Sequence, residues 1–201
     1  MSSIKFILIG DSEVGKTCLI NQYSQKEFIE EHIATLSAGG NDREKRFKDV
    51  DVGNKTVKLE ILDSVGKEQY RAINKIFMKN AKIAAIVYDM TNQETFDNIK
   101  NWYNELKEIN NTIEMIGIIA NKSDLYEEKV VSKEEGENYA KSINGFFYET
   151  SAMDYESVSN AFEDLTKKYV DVEERKKNEE LKLEASKSNS GGEGDSTCYI
   201  L

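Results

Sequence analysis

The chain has 201 residues, enough for one domain of ordinary size, and 39% of them are hydrophobic, which suffices to build a core. Its net charge of −10 and isoelectric point near 4.8 argue against nucleic acid as the main partner, because clustered Lys and Arg bind phosphate backbones. The sequence has no run of 18 apolar residues and no secretory-signal layout at its start, so neither a membrane span nor secretion is predicted.

Short apolar runs alternate with segments of helical periodicity along most of the chain. This alternation predicts an α/β domain with a mainly parallel sheet. A hairpin turn is expected at Gly53-Asn54, and the later apolar runs are typical of buried central strands. The predicted strands cover residues 4–9, 44–52, 55–62, 83–88, 115–120 and 146–148.

Two helices are predicted from apolar side chains that recur at the spacing of one helical face. These side chains, which we interpret as core, are Phe96, Ile99, Tyr103 and Leu106 in the first helix and Val158, Ala161, Phe162, Leu165 and Tyr169 in the second. Beyond residue 170 the sequence becomes polar and then rich in Ser and Gly. This composition predicts a domain over residues 1–170 and a flexible tail over 171–201, whose first half can prolong the last helix.

Residues 10–17, Gly-Asp-Ser-Glu-Val-Gly-Lys-Thr, match the phosphate-loop pattern G-x-x-x-x-G-K-[ST] directly after a predicted strand. Glycine lets the backbone wrap closely round an anion, and the amides converge on it at the positive end of the next helix. Lys16 supplies a cation for the phosphates and Thr17 a hydroxyl for Mg²⁺. The nucleotide contacts expected here are Glu13, Val14, Gly15, Lys16, Thr17 and Cys18. The loop alone leaves open a kinase, an ATPase or a GTPase.

A second motif, Asn121-Lys122-Ser123-Asp124, follows the predicted strand 115–120 at the sheet edge where α/β proteins bind ligands. The carboxylate of Asp124 can accept hydrogen bonds from guanine N1–H and the 2-amino group, whereas adenine N1 would face it with a lone pair. Lys122 can lie along the base, and Asn121 can brace neighbouring loops. Ser151 and Ala152, after the next strand, can offer a backbone amide to guanine O6. The two motifs together favour a guanine nucleotide.

These motifs resemble those of the Ras-superfamily small GTPases, and most closely the Rab branch. The resemblance covers residues 4 to about 170 and rests on GDSEVGKT, Thr35, DSVGKEQY at 63–70, YDMTNQETFDNIKNW at 88–102, NKSD and SAM. It implies the P-loop NTPase fold, with a six-stranded, mostly parallel mixed sheet flanked by five helices. The implied ligands are GTP or GDP and Mg²⁺.

The resemblance also assigns roles to single residues. It implies that Phe28 stacks on guanine, that Thr35 reaches Mg²⁺ and the γ-phosphate, and that Asp63 holds Mg²⁺ through water. The Gly66 amide is expected to contact the γ-phosphate. Lys16, Thr35, Gly66 and the residue after it, Lys67, form the expected catalytic set, and Thr17, Thr35 and Asp63 the expected metal set.

The resemblance also implies two nucleotide-sensitive loops, called switches. The second switch, at residues 63–68, departs from the family pattern D-T-A-G-Q-E, because Lys67 replaces the glutamine that orients the attacking water. An ammonium group donates hydrogen bonds but has no lone pair to accept one, so intrinsic GTP hydrolysis is expected to be slow. The alternative is an interaction module that holds GTP without hydrolysing it. Glu13 is a further departure, since its charge in the phosphate loop disfavours a polyphosphate and can weaken nucleotide retention.

The last four residues, starting at Cys198, fit the C-a-a-X prenylation signal, and the terminal Leu favours geranylgeranyl. Residues 171–201 contain five Lys and Arg against eight Asp and Glu, a net charge of −3, so no polybasic patch reinforces the lipid. A single lipid binds membranes reversibly. The other cysteine, Cys18, is distant in sequence and suggests neither a disulfide nor a zinc site. We expect a cytoplasmic protein that attaches reversibly to the cytosolic face of a membrane.

The favoured hypothesis is a monomeric GTP-dependent switch that regulates vesicle traffic. Its expected partners are effectors, an exchange factor, a GTPase-activating protein for which the TBC type is a candidate, a prenyltransferase and a lipid-shielding carrier. A P-loop kinase is the alternative from another class. It would prefer ATP, which Asp124 opposes.

Overall fold

The computed structural model describes residues 3–27, 46–63, 75 and 78–189, and for residues 185–189 only the backbone. The chain divides into two compact units, Met1–Tyr169 and Val170–Leu201. The first unit contains a six-stranded sheet, and the described part of the second is helical.

The sheet has the order β2-β3-β1-β4-β5-β6. Its strands are β1 (Ile4–Ile9), β2 (Arg46–Val52), β3 (Lys55–Asp63), β4 (Ile83–Asp89), β5 (Met115–Asn121) and β6 (Phe146–Glu149). Strand β2 runs antiparallel to β3 through the expected hairpin, and every other neighbouring pair is parallel. The predicted fold class, a mostly parallel mixed sheet of six strands, is confirmed.

Four strands continue one residue beyond their predicted ends, and each added residue is polar. These residues are Asp63, Asp89, Asn121 and Glu149. An apolar run marks only the part of a strand that carries apolar side chains, whereas the backbone ladder continues to the next residue. In the ladder Asp89 lies opposite Asn121 and Asp63 opposite Leu8. The carboxyl edge of the sheet therefore carries polar side chains in fixed register.

Five α-helices lie within the described residues. They are α1 (Lys16–Gln25), α2 (Gln93–Asp97), α3 (Ile99–Ile109), α4 (Lys133–Ser142) and α5 (Tyr155–Asn189), with a 3₁₀ turn at Tyr126–Glu128. Helices α1 and α5 cover the same face of the sheet, since Phe162 stacks on Tyr23 at 4.4 Å and on Phe6 at 4.9 Å between ring centroids. Strands β4 and β5 are buried along their whole length.

The helix predicted from Phe96 to Leu106 consists of two helices that meet at Asn98. The Asn98 N–H bonds back to the carbonyls of Glu94 and Phe96 and so closes α2, while α3 begins at the next residue. The buried face of α3 consists of Ile99, Trp102 and Leu106. The periodicity identified the apolar face correctly but did not reveal the break, because a polar junction residue interrupts no apolar spacing.

The five apolar side chains predicted for the last helix are all buried, which confirms their core assignment. Helix α5 continues through the polar sequence to Asn189, and between residues 171 and 184 most side chains are exposed. Among the described helices, none has both the length and the apolar character needed to cross a bilayer.

Candidate functional site

The phosphate loop and the 121–124 loop lie at the same edge of the sheet. The first follows β1 and the second follows β5, both at carboxyl ends. Strand β1 lies between β3 and β4, so the order of connections reverses beside it. Ligands of open α/β sheets bind in the crevice at such a reversal.

Two glycines shape the phosphate loop. Gly10 has φ +144°, and a Cβ there would lie 2.2 Å from the carbonyl oxygen of Val87. Gly15 has φ +93°, and a Cβ there would lie 2.3 Å from Asn121 Nδ2. Helix α1 begins at Lys16 without a side-chain cap, so the amides of its first turn have no side-chain acceptor at the N-cap. This glycine-lined helix N-terminus fits a phosphate group.

Lys16 is buried beside this cradle. Its Nζ donates to the carbonyl oxygen of Gly10 at 3.0 Å and to that of Asp11 at 2.5 Å. Burial lowers the pKa of Lys16 to about 8, although the negative charges of Asp63 and Asp11 act in the opposite direction. An anionic ligand in the loop would stabilise the charged form of this lysine.

Thr17 and Asp63 bring two hard oxygen ligands together, as Thr17 Oγ1 donates to Asp63 Oδ2 at 2.5 Å. A hydroxyl and one carboxylate fit Mg²⁺, which keeps several waters and binds substrate phosphates. Within the described residues no group of three or more His, Cys, Asp or Glu could enclose a metal, so the ligand shell would need those waters and phosphates. When bound, Mg²⁺ would neutralise phosphate charge.

The remaining predicted loop residues differ in environment. Val14 is fully buried. Burial and, after it, the nearby charge of Asp63 raise the pKa of the Cys18 thiol, whereas the charge of Lys122 acts in the opposite direction. Glu13 is exposed and has φ +65°, a left-handed conformation that L residues rarely adopt.

Asn121 joins the two loops. Its side chain is buried, with Nδ2 donating to the Val14 carbonyl at 2.8 Å and Oδ1 accepting from Thr150 Oγ1 at 3.1 Å. These bonds connect the phosphate loop, the end of β5 and the end of β6. The bracing role expected for Asn121 thus has a geometric basis.

Lys122 is held by a residue that the sequence did not single out. Lys122 Nζ lies 2.5 Å from Asp89 Oδ2, and Asp89 Oδ1 accepts from both the amide and the hydroxyl of Thr91. Thr150, the partner of Asn121, was also missed. A signal for both existed, because each is a polar residue at the carboxyl end of a strand, where the ligand edge lies.

Asp124 is oriented by the loop after β6. Ser151 Oγ donates to Asp124 Oδ1 at 2.5 Å, and the Ser123 amide donates to the Thr150 carbonyl at 3.1 Å. The Ser151 amide donates to Ser157 Oγ, which leaves the Ala152 amide as the better candidate for guanine O6. The structure therefore brings Asp124 and the Ser151-Ala152 loop, which are among the predicted base-binding residues, to one place.

Several predicted site residues lie outside the described part of the chain. They are Phe28, Thr35, Gly66 and Lys67, together with the prenylation cysteine Cys198. Their roles stay predictions.

A glycine-rich cradle after β1 and a carboxylate loop after β5, tied together by a buried asparagine, define a P-loop nucleotide-binding protein. The Ras family profile matches residues 5–171, and the chain belongs to this family. It is a Rab-like small GTPase, a GTP-hydrolysing switch of the kind that acts in membrane trafficking. The family in general binds GTP or GDP with Mg²⁺ and works with effectors, exchange factors and activators.

Curated relatives support the Rab-like assignment. The chain is 35% identical to Ras-related protein Rab-21 of Mus musculus over 178 residues, which covers 87% of this chain and 78% of the relative. It is 38% identical to Ras-related protein RABA6a of Arabidopsis thaliana over 158 residues, which covers 79% of this chain and 66% of the relative. It is 37% identical to Ras-related protein RIC1 of Oryza sativa subsp. japonica, which covers 79% of this chain and 76% of the relative. The predicted resemblance to Rab proteins is confirmed.

Replacing Glu13 is expected to prolong nucleotide binding. Glu13→Gln removes the negative charge from the phosphate loop but keeps the strained backbone, and should slow GDP release roughly threefold. Glu13→Gly should slow release similarly and also raise the free energy of unfolding by about 1 kcal/mol, because glycine relieves the left-handed strain. Fluorescent GDP release and urea unfolding would measure the two effects. Unchanged release from Glu13→Gln would mean that water screens the charge completely.

Proposed function

We propose that this chain is a guanine-nucleotide switch that binds effectors in its GTP state and so regulates vesicle traffic. The observation that carries the proposal is the Asn121 side chain, which joins the phosphate loop to the Asp124 loop. This connection lets one ligand occupy both loops, with its phosphates on Gly10–Thr17 and its base against Asp124. The loss of the γ-phosphate would release the switch segments.

The identity of the bound nucleotide tests the proposal directly. The purified protein should carry GDP or GTP, which chromatography of the heat-released nucleotide identifies. Bound ATP would favour a P-loop kinase instead. Uptake of neither nucleotide in the presence of Mg²⁺ would contradict the proposed function.

Slow intrinsic hydrolysis is the proposed consequence of Lys67. In a single-turnover assay of the GTP-loaded protein, Lys67→Gln should release phosphate at least roughly tenfold faster, because the amide can both donate to the attacking water and accept from it. Lys75→Gln is the matched control, because it makes the same exchange at an exposed lysine, and it should leave the rate unchanged. If Lys67→Gln hydrolyses GTP at the wild-type rate, Lys67 does not limit the reaction.

A GTP-holding interaction module is the second candidate, and the replacement at position 67 favours it. An activator of the TBC type supplies both an arginine and a glutamine and could restore hydrolysis. Phosphate release measured with and without such an activator separates the two candidates, since only a cycling switch responds.

Reversible membrane attachment through Cys198 completes the proposal. A prenyl group on Cys198 would bind a membrane reversibly, and the net charge of −3 over residues 171–201 would not attract anionic lipids. In cell fractionation, Cys198→Ser should move the protein from membranes to the cytosol. A fully membrane-bound Cys198→Ser protein would exclude the lipid as the anchor.

A further inference from the structure

The carboxylate of Asp11, the second residue of the phosphate loop, is bound by two donors from the α2–α3 segment. Asn98 Nδ2 donates to Asp11 Oδ2 at 2.8 Å, and Trp102 Nε1 donates to Asp11 Oδ1 at 2.7 Å. The two donors are 87 and 91 residues away in sequence. Both carboxylate oxygens are thus held by neutral groups, which orient the carboxylate without removing its charge.

Asn98 makes this contact instead of the usual capping bond. It is the N-cap residue of α3, where an asparagine side chain normally accepts from a first-turn amide, yet no such bond is present. Its amide group points to Asp11, and its Oδ1 accepts from Asn101 Nδ2 at 3.3 Å. The side chain therefore serves the phosphate loop and not its own helix.

Trp102 contributes the second donor from within the core. Only 5% of the residue is exposed, and a buried indole N–H needs a hydrogen-bond partner. The partner here is a carboxylate, and hydrogen bonds to ionised acceptors are the stronger class. The packing of α3 against the sheet thus fixes where Asp11 lies.

The main chain of Asp11 connects this contact to the phosphate cradle. Its carbonyl oxygen accepts from Lys16 Nζ at 2.5 Å, and the preceding Gly10 carbonyl accepts from the same ammonium. A shift of Asp11 would therefore move the acceptors that orient Lys16. Its carboxylate charge alone would only repel a polyphosphate.

We propose that Asn98 and Trp102 are positioning residues that hold the phosphate loop through the Asp11 carboxylate and thereby set how long the nucleotide stays bound. The inference rests on the proposed guanine-nucleotide function and deepens it. Loss of either donor loosens the loop and speeds nucleotide release. If the Asp11 carboxylate only repelled the nucleotide, removing it would slow nucleotide release instead.

The test measures release of methylanthraniloyl-GDP from the full chain, chased with excess GDP in the presence of Mg²⁺. Asn98→Ala, Trp102→Phe and Asp11→Ala should each release the probe roughly tenfold faster than wild type. Asp11→Asn should stay within about threefold of wild type. The oxygen of the new side chain still accepts from Trp102 Nε1, and the Asn98 amide can rotate so that its oxygen accepts from the new NH2 group. The double variant Asp11→Ala/Trp102→Phe should be no faster than the faster single variant.

Asn104→Ala is the matched control, because it removes an exposed asparagine from the same helix and should release at the wild-type rate. If Trp102→Phe does not fold, Asn98→Ala decides the question, since it removes no helix cap. Wild-type or slower release from Asn98→Ala and Asp11→Ala would overturn the positioning role while guanine-nucleotide binding stands. A wild-type protein that takes up no guanine nucleotide would overturn the proposed function and this inference together.

Discussion

Asp124→Asn is expected to weaken GDP binding roughly a hundredfold and to strengthen binding of xanthosine diphosphate. The wild-type carboxylate can accept from both N1–H and the 2-amino group of guanine. An asparagine still accepts from N1–H, but its amide group meets the 2-amino group, donor against donor. Xanthine carries an oxygen at that position, which accepts from the amide. Ser151 Oγ, which holds Asp124 Oδ1, can donate to the asparagine oxygen in the same way.

Competition between GDP and xanthosine diphosphate against a fluorescent guanine nucleotide would measure this change. Glu127→Gln is the control for the loss of one negative charge, because Glu127 is exposed in the adjacent 3₁₀ turn. It should leave the preference for GDP intact. If Asp124→Asn keeps the wild-type preference, a group other than Asp124 recognises the base.

Asn121→Ala, a separate single variant, is also expected to weaken GDP binding, by about a hundredfold. It removes two buried hydrogen bonds and leaves the Val14 carbonyl and the Thr150 hydroxyl without these partners. The phosphate loop and the base loop would then be positioned independently, so a ligand must pay the entropy of ordering them. Both the affinity for GDP and the stability of the free protein should fall.

Asn110→Ala separates these two effects. Asn110 is another buried asparagine, whose Nδ2 donates to the carbonyls of Met78 and Ala81 at 2.8 and 2.9 Å, and it follows the end of α3. Because Asn110 Oδ1 also accepts from the amide and the hydroxyl of Thr112, this variant should lower the free energy of unfolding at least as much as Asn121→Ala does, by roughly 2 kcal/mol or more, while the folded protein binds GDP normally. Titration calorimetry and urea unfolding of both variants provide the comparison. Equal losses of GDP affinity would show that the Asn121 effect is general destabilisation.

The two binding loops could be predicted from the sequence because their chemistry depends on which residues and elements are neighbours along the chain. A glycine loop between a strand and a helix presents amides to a phosphate whatever surrounds it, and an aspartate after a buried strand lies at the ligand edge. The same reasoning located every strand core. It missed the break at Asn98, where the backbone changes helix without a change in apolar spacing.

Sequence order alone determined the sheet class, the phosphate loop, the guanine-selecting carboxylate and the departure at Lys67, because each follows from residue type at a fixed spacing. Tertiary structure alone decided which distant side chains meet. The pairing of Asp89 with Lys122 and the contacts of Asp11 with Asn98 and Trp102 depend on how strands and helices pack. A hydrogen bond between residues about ninety positions apart has no local signature, since packing and not spacing brings its two atoms within 3 Å.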